Sequence, residues 1–411
     1  MFSALFHALG GPTMRQRDLR MLLLAMFLTE LGVSAAFPLR LLYAQAHHAT
    51  PAELGMMAGA FFLAPMLCQM PLGWLVDRWG RVPVLLFGMI GHAIIGVAYI
   101  LFSSPVDLIG LRFLEGVVIA GIQPATAAYI ADVVPEERRA EAYGVLSAAS
   151  SGGLLIGPLI GGIVGQQFGF ASAYVLSVVF ESISVVLVLA SVREPARHRD
   201  SQAHERPVPW RRFLTPPLLG AYATTFAFSS VMGVFSALWT IWIKDLGGSY
   251  TYIGFTFTAF AIPGILLGAI GGRMTDRWGI APTVLRFGLL ISVIYMSYGF
   301  VGNLAAILVL GIIEGVFLAF QQPAVQALLA AASPPEARGR AQGVAGLAGS
   351  IGGAGSAFLS LTLYHQSHPA PFVIAGVVMV AGTLAAALSA VWLKRHGPET
   401  AAFMALQAQA S

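Results

Sequence analysis

Glu30, Arg112, Glu115 and Glu314 carry charge inside stretches otherwise built of Leu, Ile, Val, Phe, Ala and Gly. An ionisable side chain in such surroundings is expensive to keep and is retained for a reason. Glu30 follows Arg20 by about ten residues, which at about 1.5 Å per residue is roughly 15 Å along a helix, near the middle of a bilayer. Loss of water disfavours the charged form of a carboxyl group, so a group in this position can take up and release protons near neutral pH. Glu30 is therefore the first candidate for a proton carrier; the alternative is a permanently protonated side chain hydrogen-bonded to a neighbouring helix.

Arg112 and Glu115 are three residues apart and adjacent on a helix surface, and Gln123 returns to nearly the same face. An arginine at this depth needs a carboxylate, and Glu115 is the nearest in sequence. Either the two form a static pair, or protonation of Glu115 or Glu30 releases Arg112 and couples proton binding to a conformational change. Glu314 has no arginine beside it, and Gln321 and Gln322 follow about two turns later. It is read as a second proton site or an attractor of cations, against the alternative of a neutral, hydrogen-bonded side chain. Glu30, Gln123, Gln321 and Gln322, with the aromatics Phe235 and Trp239, are the candidate lining of a substrate cavity, since aromatic faces suit hydrophobic and cationic solutes. The same aromatics could equally face lipid. His47 and His48 read as solvated residues of an outer turn.

The elements that must position these residues are membrane spans. The 411-residue chain is 57% hydrophobic and only 10% charged, against roughly 25% charged residues in a soluble domain. Apolar blocks of roughly twenty residues match the length a helix needs to cross about 30 Å of hydrocarbon. They predict spans at 19–44, 53–75, 83–102, 107–132, 141–164 and 170–192, then at 218–243, 251–272, 282–301, 304–331, 341–364 and 370–393. The first block is too long for the core of a signal peptide and reads as a retained span. Cys68 is the only cysteine, which excludes an intrachain disulfide.

With the N-terminus inside, Arg15, Arg17, Arg20, Arg78, Arg81, Arg138, Arg139, Arg273, Arg277, Arg338, Arg340, Lys394 and Arg395 share one side with a segment at 193–217 that carries six arginines, and the other side receives only Arg40 and Lys244. That asymmetry follows the positive-inside rule and predicts cytoplasmic termini and a cytoplasmic linker. A constant offset of 199 relates the halves: Gly73, Asp77, Arg78, Trp79 and Gly80 map onto Gly272, Asp276, Arg277, Trp278 and Gly279, and Glu115, Gly116, Gln123 and Pro124 onto Glu314, Gly315, Gln322 and Pro323. The chain reads as a duplicated unit, with an N-terminal bundle at 1–192, a linker at 193–217 and a C-terminal bundle at 218–411. Parallel repeats around a site near the midplane are what carriers use for alternating access.

Gly73-x3-Asp77-Arg78-x-Gly80-Arg81 resembles the signature of the major facilitator superfamily, and the copy at Asp276 and Arg277 lacks the final arginine. Arg112-x2-Glu115-Gly116 is similar to the R-x-x-Q-G motif of proton-coupled members, with Glu115 where Gln is usual. Gly153-x3-Gly157-Pro158-x2-Gly161-Gly162 resembles the motif of the twelve-span drug/proton antiporters, and its counterpart in the second half has lost the Gly-Pro pair. The resemblance implies an all-α membrane protein of twelve transmembrane helices in two pseudo-symmetric six-helix bundles. It also implies proton-coupled efflux of lipophilic or cationic small molecules.

Gly73, Asp77, Arg78, Gly80, Arg81, Asp276 and Arg277 would then serve conformational gating, Asp77 by facing a helix N-terminus across the bundles; a solvated topological charge is the alternative. Glycines at 153, 157 and 161 leave a side-chain-free stripe, and Pro158 bends the span, so the helix could pack closely or also seal the pathway. Glu181 is expected to be structural, because sixth helices in this fold are peripheral. No zinc site, nucleophile elbow or phosphate loop occurs, so the reading is of a carrier rather than an enzyme, without metal or cofactor. Its expected partners are substrate, protons and the lipid bilayer of the inner membrane, with no nucleic acid, and it is expected to act as a monomer. A sugar or amino-acid carrier is the alternative, followed by a lipid flippase or a non-transporting sensor.

Overall fold

The computed structural model describes residues 14–195, 210–334 and 338–407. Most of the linker assigned to 193–217, including Arg197, Arg199 and Arg206, lies outside the described residues. The chain packs as two compact units, 1–200 with 243–258, and 201–242 with 259–411. The first unit therefore takes in a segment that the sequence reading counted with 218–411.

In the first unit the helices are α1 (Met14–Ala36), α2 (Arg40–Ala46), α3 (Pro51–Trp79), α4 (Arg81–Leu101), α5 (Pro105–Ala120), α6 (Ile122–Val133), α7 (Glu136–Phe168) and α8 (Phe170–Ser191). Then follow α9 (Pro216–Asp245), α10 (Tyr250–Trp278), α11 (Ile280–Tyr298), α12 (Leu304–Ala332), α13 (Arg338–Gln366) and α14 (Ala370–Gln407), the last interrupted at Gly397. Eleven stretches among the described residues are long and apolar enough to cross a membrane by themselves. The twelfth span expected from the sequence, 107–132, is present as α5 and α6, each too short alone. Pro124 cannot donate to the carbonyl of residue 120 and crowds it, and the helix gives way one residue later, at Gly121. The repeat-equivalent Pro323 leaves α12 continuous, and there Phe320 stands in the place of Gly121.

The first span is also broken. A 3-10 turn at Phe37–Leu39, with Pro38 inside it, separates α1 from α2 and sends Arg40 inward. Thr50 and Glu53 form a reciprocal capping box at the start of α3, with Pro51 in the first turn where its missing N–H costs nothing. Gly80 joins α3 to α4 at φ 115°, and Gly279 joins α10 to α11 at φ 88°. These repeat-related positions require glycine because a Cβ disfavours that region.

In the first unit, α1 packs along α7 and α8, α4 along α8, and α3 along α5. Its apolar core gathers Leu22, Met26, Val84, Ile122, Ala125 and Val188. The core of the second unit holds Leu218, Ala221, Val284, Leu328, Ala341 and Ala386, with α11 packed on α12 and α14. Large apolar side chains also cover the outside: Ile94 is 63% exposed, Leu266 68% and Leu388 70%. Such a surface fits hydrocarbon rather than water.

Candidate functional site

Five helices of the first unit converge on a buried polar cluster centred on Glu115 of α5. Arg40 Nη2 lies 2.6 Å from Glu115 Oε1, and Arg112 Nη1 lies 2.8 Å from Oε2. Tyr99 donates its hydroxyl to Oε2 at 3.3 Å. His92 of α4 reaches Glu115 Oε1 through Nε2 at 3.3 Å and Glu181 Oε1 of α8 through Nδ1 at 3.1 Å. Thr29 of α1 donates to the other oxygen of Glu181 at 3.5 Å. All of these side chains are buried. Arg40 also donates to Val33 O at 3.1 Å, and the Arg112 guanidinium lies 3.9 Å over the Phe61 ring. Two guanidinium groups cannot stay in such a place unless their charge is met by carboxylate and hydrogen bonds.

This arrangement corrects two sequence expectations. Arg40, counted with the outer connection, is 4% exposed and is the second cation on Glu115. Helix α8 packs on both α1 and α4, so Glu181 faces the cluster rather than the periphery.

Glu30 stands beside this cluster, half-buried, and accepts a hydrogen bond from Gln123 Nε2 at 3.4 Å. Gln123 itself is exposed, so the carboxylate borders an accessible face. The neighbouring residues Thr29 and Gly32 of α1 lie against Glu181. Behind Glu30 runs the glycine stripe of α7. A Cβ at Gly153 would meet Phe27 O and the Glu30 Cβ, one at Gly157 would overlap the Ser34 hydroxyl, and one at Gly161 would overlap Ala35 O. Ser34 bridges the two helices by donating to Gly153 O at 3.1 Å. The other side of α7 holds residues 250–258: Thr258 donates to Leu155 O at 2.6 Å, Tyr250 N–H to Gln166 Oε1 at 2.9 Å, and Gly162 lies against Tyr250 and Gly254. That close packing is why this segment of α10 belongs to the first unit.

In the signature loop Arg81 is the hub. Its Nε donates to Asp132 Oδ2 at 2.7 Å, and its backbone N–H and that of Val82 donate to the two oxygens of Glu194 at 2.8 and 2.7 Å. Glu194 thus caps α4, and a Cβ at Gly80 would collide with its carboxylate. Asp77 is 78% exposed, with Arg81 Nη1 at 3.8 Å. Gly73 is half-buried and Arg78 exposed, with the Arg78 guanidinium 5.1 Å over the Trp74 ring. Asp276 and Arg277 are exposed at the end of α10.

In the second unit Glu314 is buried and accepts a hydrogen bond from the Tyr298 hydroxyl at 2.6 Å. Phe235 and Trp239 stack at 5.0 Å and join Trp242 and Phe372 in a cluster around the Tyr298 ring. A separate cavity of about 170 Å³ is lined by Thr224, Thr225, Phe228, Gln321, Gln322, Val325, Gln326 and Met379. Gln321 is 2% exposed, and both of its amide atoms are without a hydrogen-bond partner among the described residues.

The structure thus brings together Glu30 with Gln123, Arg112 with Glu115, and Gln321 with Gln322, while Phe235, Trp239 and Glu314 form a group away from the glutamines' cavity. Sequence reasoning missed His92, Arg40, Asp132 and Glu194. The signal for His92 was present, because it is an ionisable residue in the middle of the apolar block 83–102.

Comparison with known proteins agrees with this architecture. The family model described as Major Facilitator Superfamily matches residues 22–243 and 221–408. Multidrug resistance protein 1 of Bacillus subtilis (strain 168) is 25% identical over 382 residues, covering 91% of this chain and 96% of that protein. Multidrug resistance protein MdtG of Serratia proteamaculans (strain 568) is 30% identical over 328 residues, covering 76% of this chain and 79% of that one. A solved bacterial homolog of the human lysosomal transporter Spinster superposes with a TM-score of 0.73 at 17% identity, covering 97% of this chain and 98% of that one.

Proposed function

Because this chain belongs to the Major Facilitator Superfamily, we propose that it exports lipophilic or cationic small molecules across the cytoplasmic membrane in exchange for protons. The observation that carries this reading is Glu30, a half-buried carboxylate that accepts from the exposed Gln123 and follows Thr29, whose hydroxyl donates to Glu181 of the buried charged cluster. A carboxylate in that position binds a proton or a cationic substrate but not both, so each displaces the other. The names of the multidrug resistance relatives support the same reading.

The working arrangement is two six-helix bundles, 1–192 and 218–411, joined by 193–217, with both termini in the cytoplasm and a monomer in the bilayer. No nucleic acid takes part. Gly153, Gly157 and Gly161 hold α7 tightly on α1 within the first bundle, and Pro158 and Gly162, packed on Gly254 and Tyr250, serve as the seam along which the bundles rock. Asp77, Arg78 and Arg81, with Asp276 and Arg277 in the second repeat, bias the equilibrium between the two states. Gln321 and Gln322 supply substrate contacts in the second bundle.

Inverted membrane vesicles energised to acidify their interior test the proposal. Wild-type vesicles take up ethidium, and nigericin, which dissipates the pH gradient, stops the uptake. Glu30→Gln vesicles of equal protein content take up none. Uptake that survives nigericin, or is equal in both vesicle types, overturns the reading. A carrier of neutral polar metabolites is the second reading, favoured by the unpartnered amide of Gln321 in an uncharged cavity; such a protein would move protons with a sugar or amino acid and not with ethidium.

A further inference from the structure

His92 stands between two carboxyl groups, and that position makes a place for a proton. Glu115 accepts from Arg40, Arg112 and Tyr99, so it is ionised and His92 Nε2 must be its donor. The opposite ring nitrogen, Nδ1, is 3.1 Å from Glu181 Oε1. A neutral imidazole has one donor and one acceptor. If Nε2 carries the hydrogen, Nδ1 presents a lone pair to an oxygen that, in an ionised carboxylate, presents another. Both atoms are buried and neither has a hydrogen-bond partner among the described residues, so a hydrogen on Nδ1 or on Oε1 would relieve the contact.

We propose that the His92–Glu181 pair is a second proton-binding site, whose occupancy is coupled to that of Glu30. The inference rests on the export reading only for its use in transport; the site itself stands on geometry. The charged and titratable groups around His92 come from every neighbouring element: Glu30 on α1, Arg40 on α2, Arg112 and Glu115 on α5, Tyr174 and Glu181 on α8, and Tyr99 on its own helix.

Their charges account for the coupling. Arg40 and Arg112 against Glu115 leave one positive charge. With the shared proton in place the His92–Glu181 pair is neutral, so the cluster stays at plus one, and ionised Glu30 offsets it. When Glu30 binds a proton or a cationic substrate, that offset is lost and the shared proton is favoured to leave. Departure of that proton leaves Glu181 ionised and His92 neutral with its hydrogen on Nε2, and the cluster again has no net charge. Thr29, next to Glu30 and donating to Glu181 Oε2, is the polar side chain at the junction between the two sites.

The test observes His92 directly and needs no transport. Protein labelled with nitrogen-15 in its histidines, in detergent micelles, is titrated between about pH 5 and about pH 9, with the His92 ring signals identified by their loss in His92→Gln. The expected result is an imidazolium, or a proton shared with Glu181, at the acid end, lost in one step within the range. The midpoint falls in Glu30→Gln and falls further in Glu181→Gln, because each substitution removes a negative charge that favours the protonated ring. A single neutral tautomer throughout in wild-type protein overturns the proposal. So does an imidazolium that never titrates, which would make the pair a fixed structural charge, and so does a midpoint unmoved in Glu30→Gln. Tetraphenylphosphonium added to the same samples separates the two readings: if it leaves every signal in place while the titration is as expected, the export reading fails and the proton site stands.

Discussion

At the scale of single residues, the first span is where the chemistry is exposed and the fifth helix is where it is locked. Glu115 meets two guanidinium groups in a buried place, so Glu115→Gln leaves both of them without their carboxylate. Breaking a buried pair in this way costs about 3–5 kcal/mol, and the expected result is a large fall in the thermal unfolding midpoint in detergent. Glu30→Gln, at a half-buried carboxylate with one weak partner at 3.4 Å, is expected to leave that midpoint within a degree or two while abolishing export. Equal loss of stability in both variants would contradict this division of roles. The sequence showed Glu30, Arg112 and Glu115 because ionisable residues stand out in an apolar block. It did not show which carboxylate Arg40 would meet, because the inward turn of Arg40 depends on a break at Phe37–Leu39 that hydropathy does not register. Glu181 was visible but placed at the periphery by analogy, and only the packing of α8 on α1 and α4 brings it to His92.

At the scale of elements, the glycine stripe of α7 makes a sharp prediction. Gly157→Ala puts a methyl group against Ser34 and Leu31, whereas Gly144→Ala on the same helix meets nothing within 4 Å. Overpacking of this kind costs about 1–3 kcal/mol, so Gly157→Ala is expected to cut ethidium export at least tenfold at normal membrane abundance, and Gly144→Ala to leave it unchanged. In the signature loop, Glu194→Ala removes the cap of α4 and a partner of the Arg81 segment; a loss of about 1 kcal/mol is expected, read as faster trypsin cleavage near Arg81. The twelve spans were legible because apolar length is a property of local composition. The division of the fourth span into α5 and α6 was not, since Pro124 acts on the helix only in combination with Gly121, and the same proline at 323 leaves α12 whole.

At the scale of the whole molecule, the two repeats have diverged in charge while keeping their helices. Glu115 lies between Arg40 and Arg112, whereas its counterpart Glu314 has a tyrosine hydroxyl for a partner. Ile122, in the apolar core of the first unit, becomes Gln321 beside a cavity in the second. The offset of 199 made the duplication readable, but not this division, because the partners of Glu115 and Glu314 come from other helices.

Protons and substrate are proposed to exchange through Glu30. Purified protein in liposomes loaded with a pH-sensitive dye, challenged with external tetraphenylphosphonium at equal internal and external pH and with valinomycin and potassium clamping the voltage, tests it most directly. Wild-type protein is expected to give a substrate-dependent pH change in the lumen, and Glu30→Gln none. A pH change of the same size with Glu30→Gln, or substrate movement in wild-type liposomes with no pH change, would contradict it.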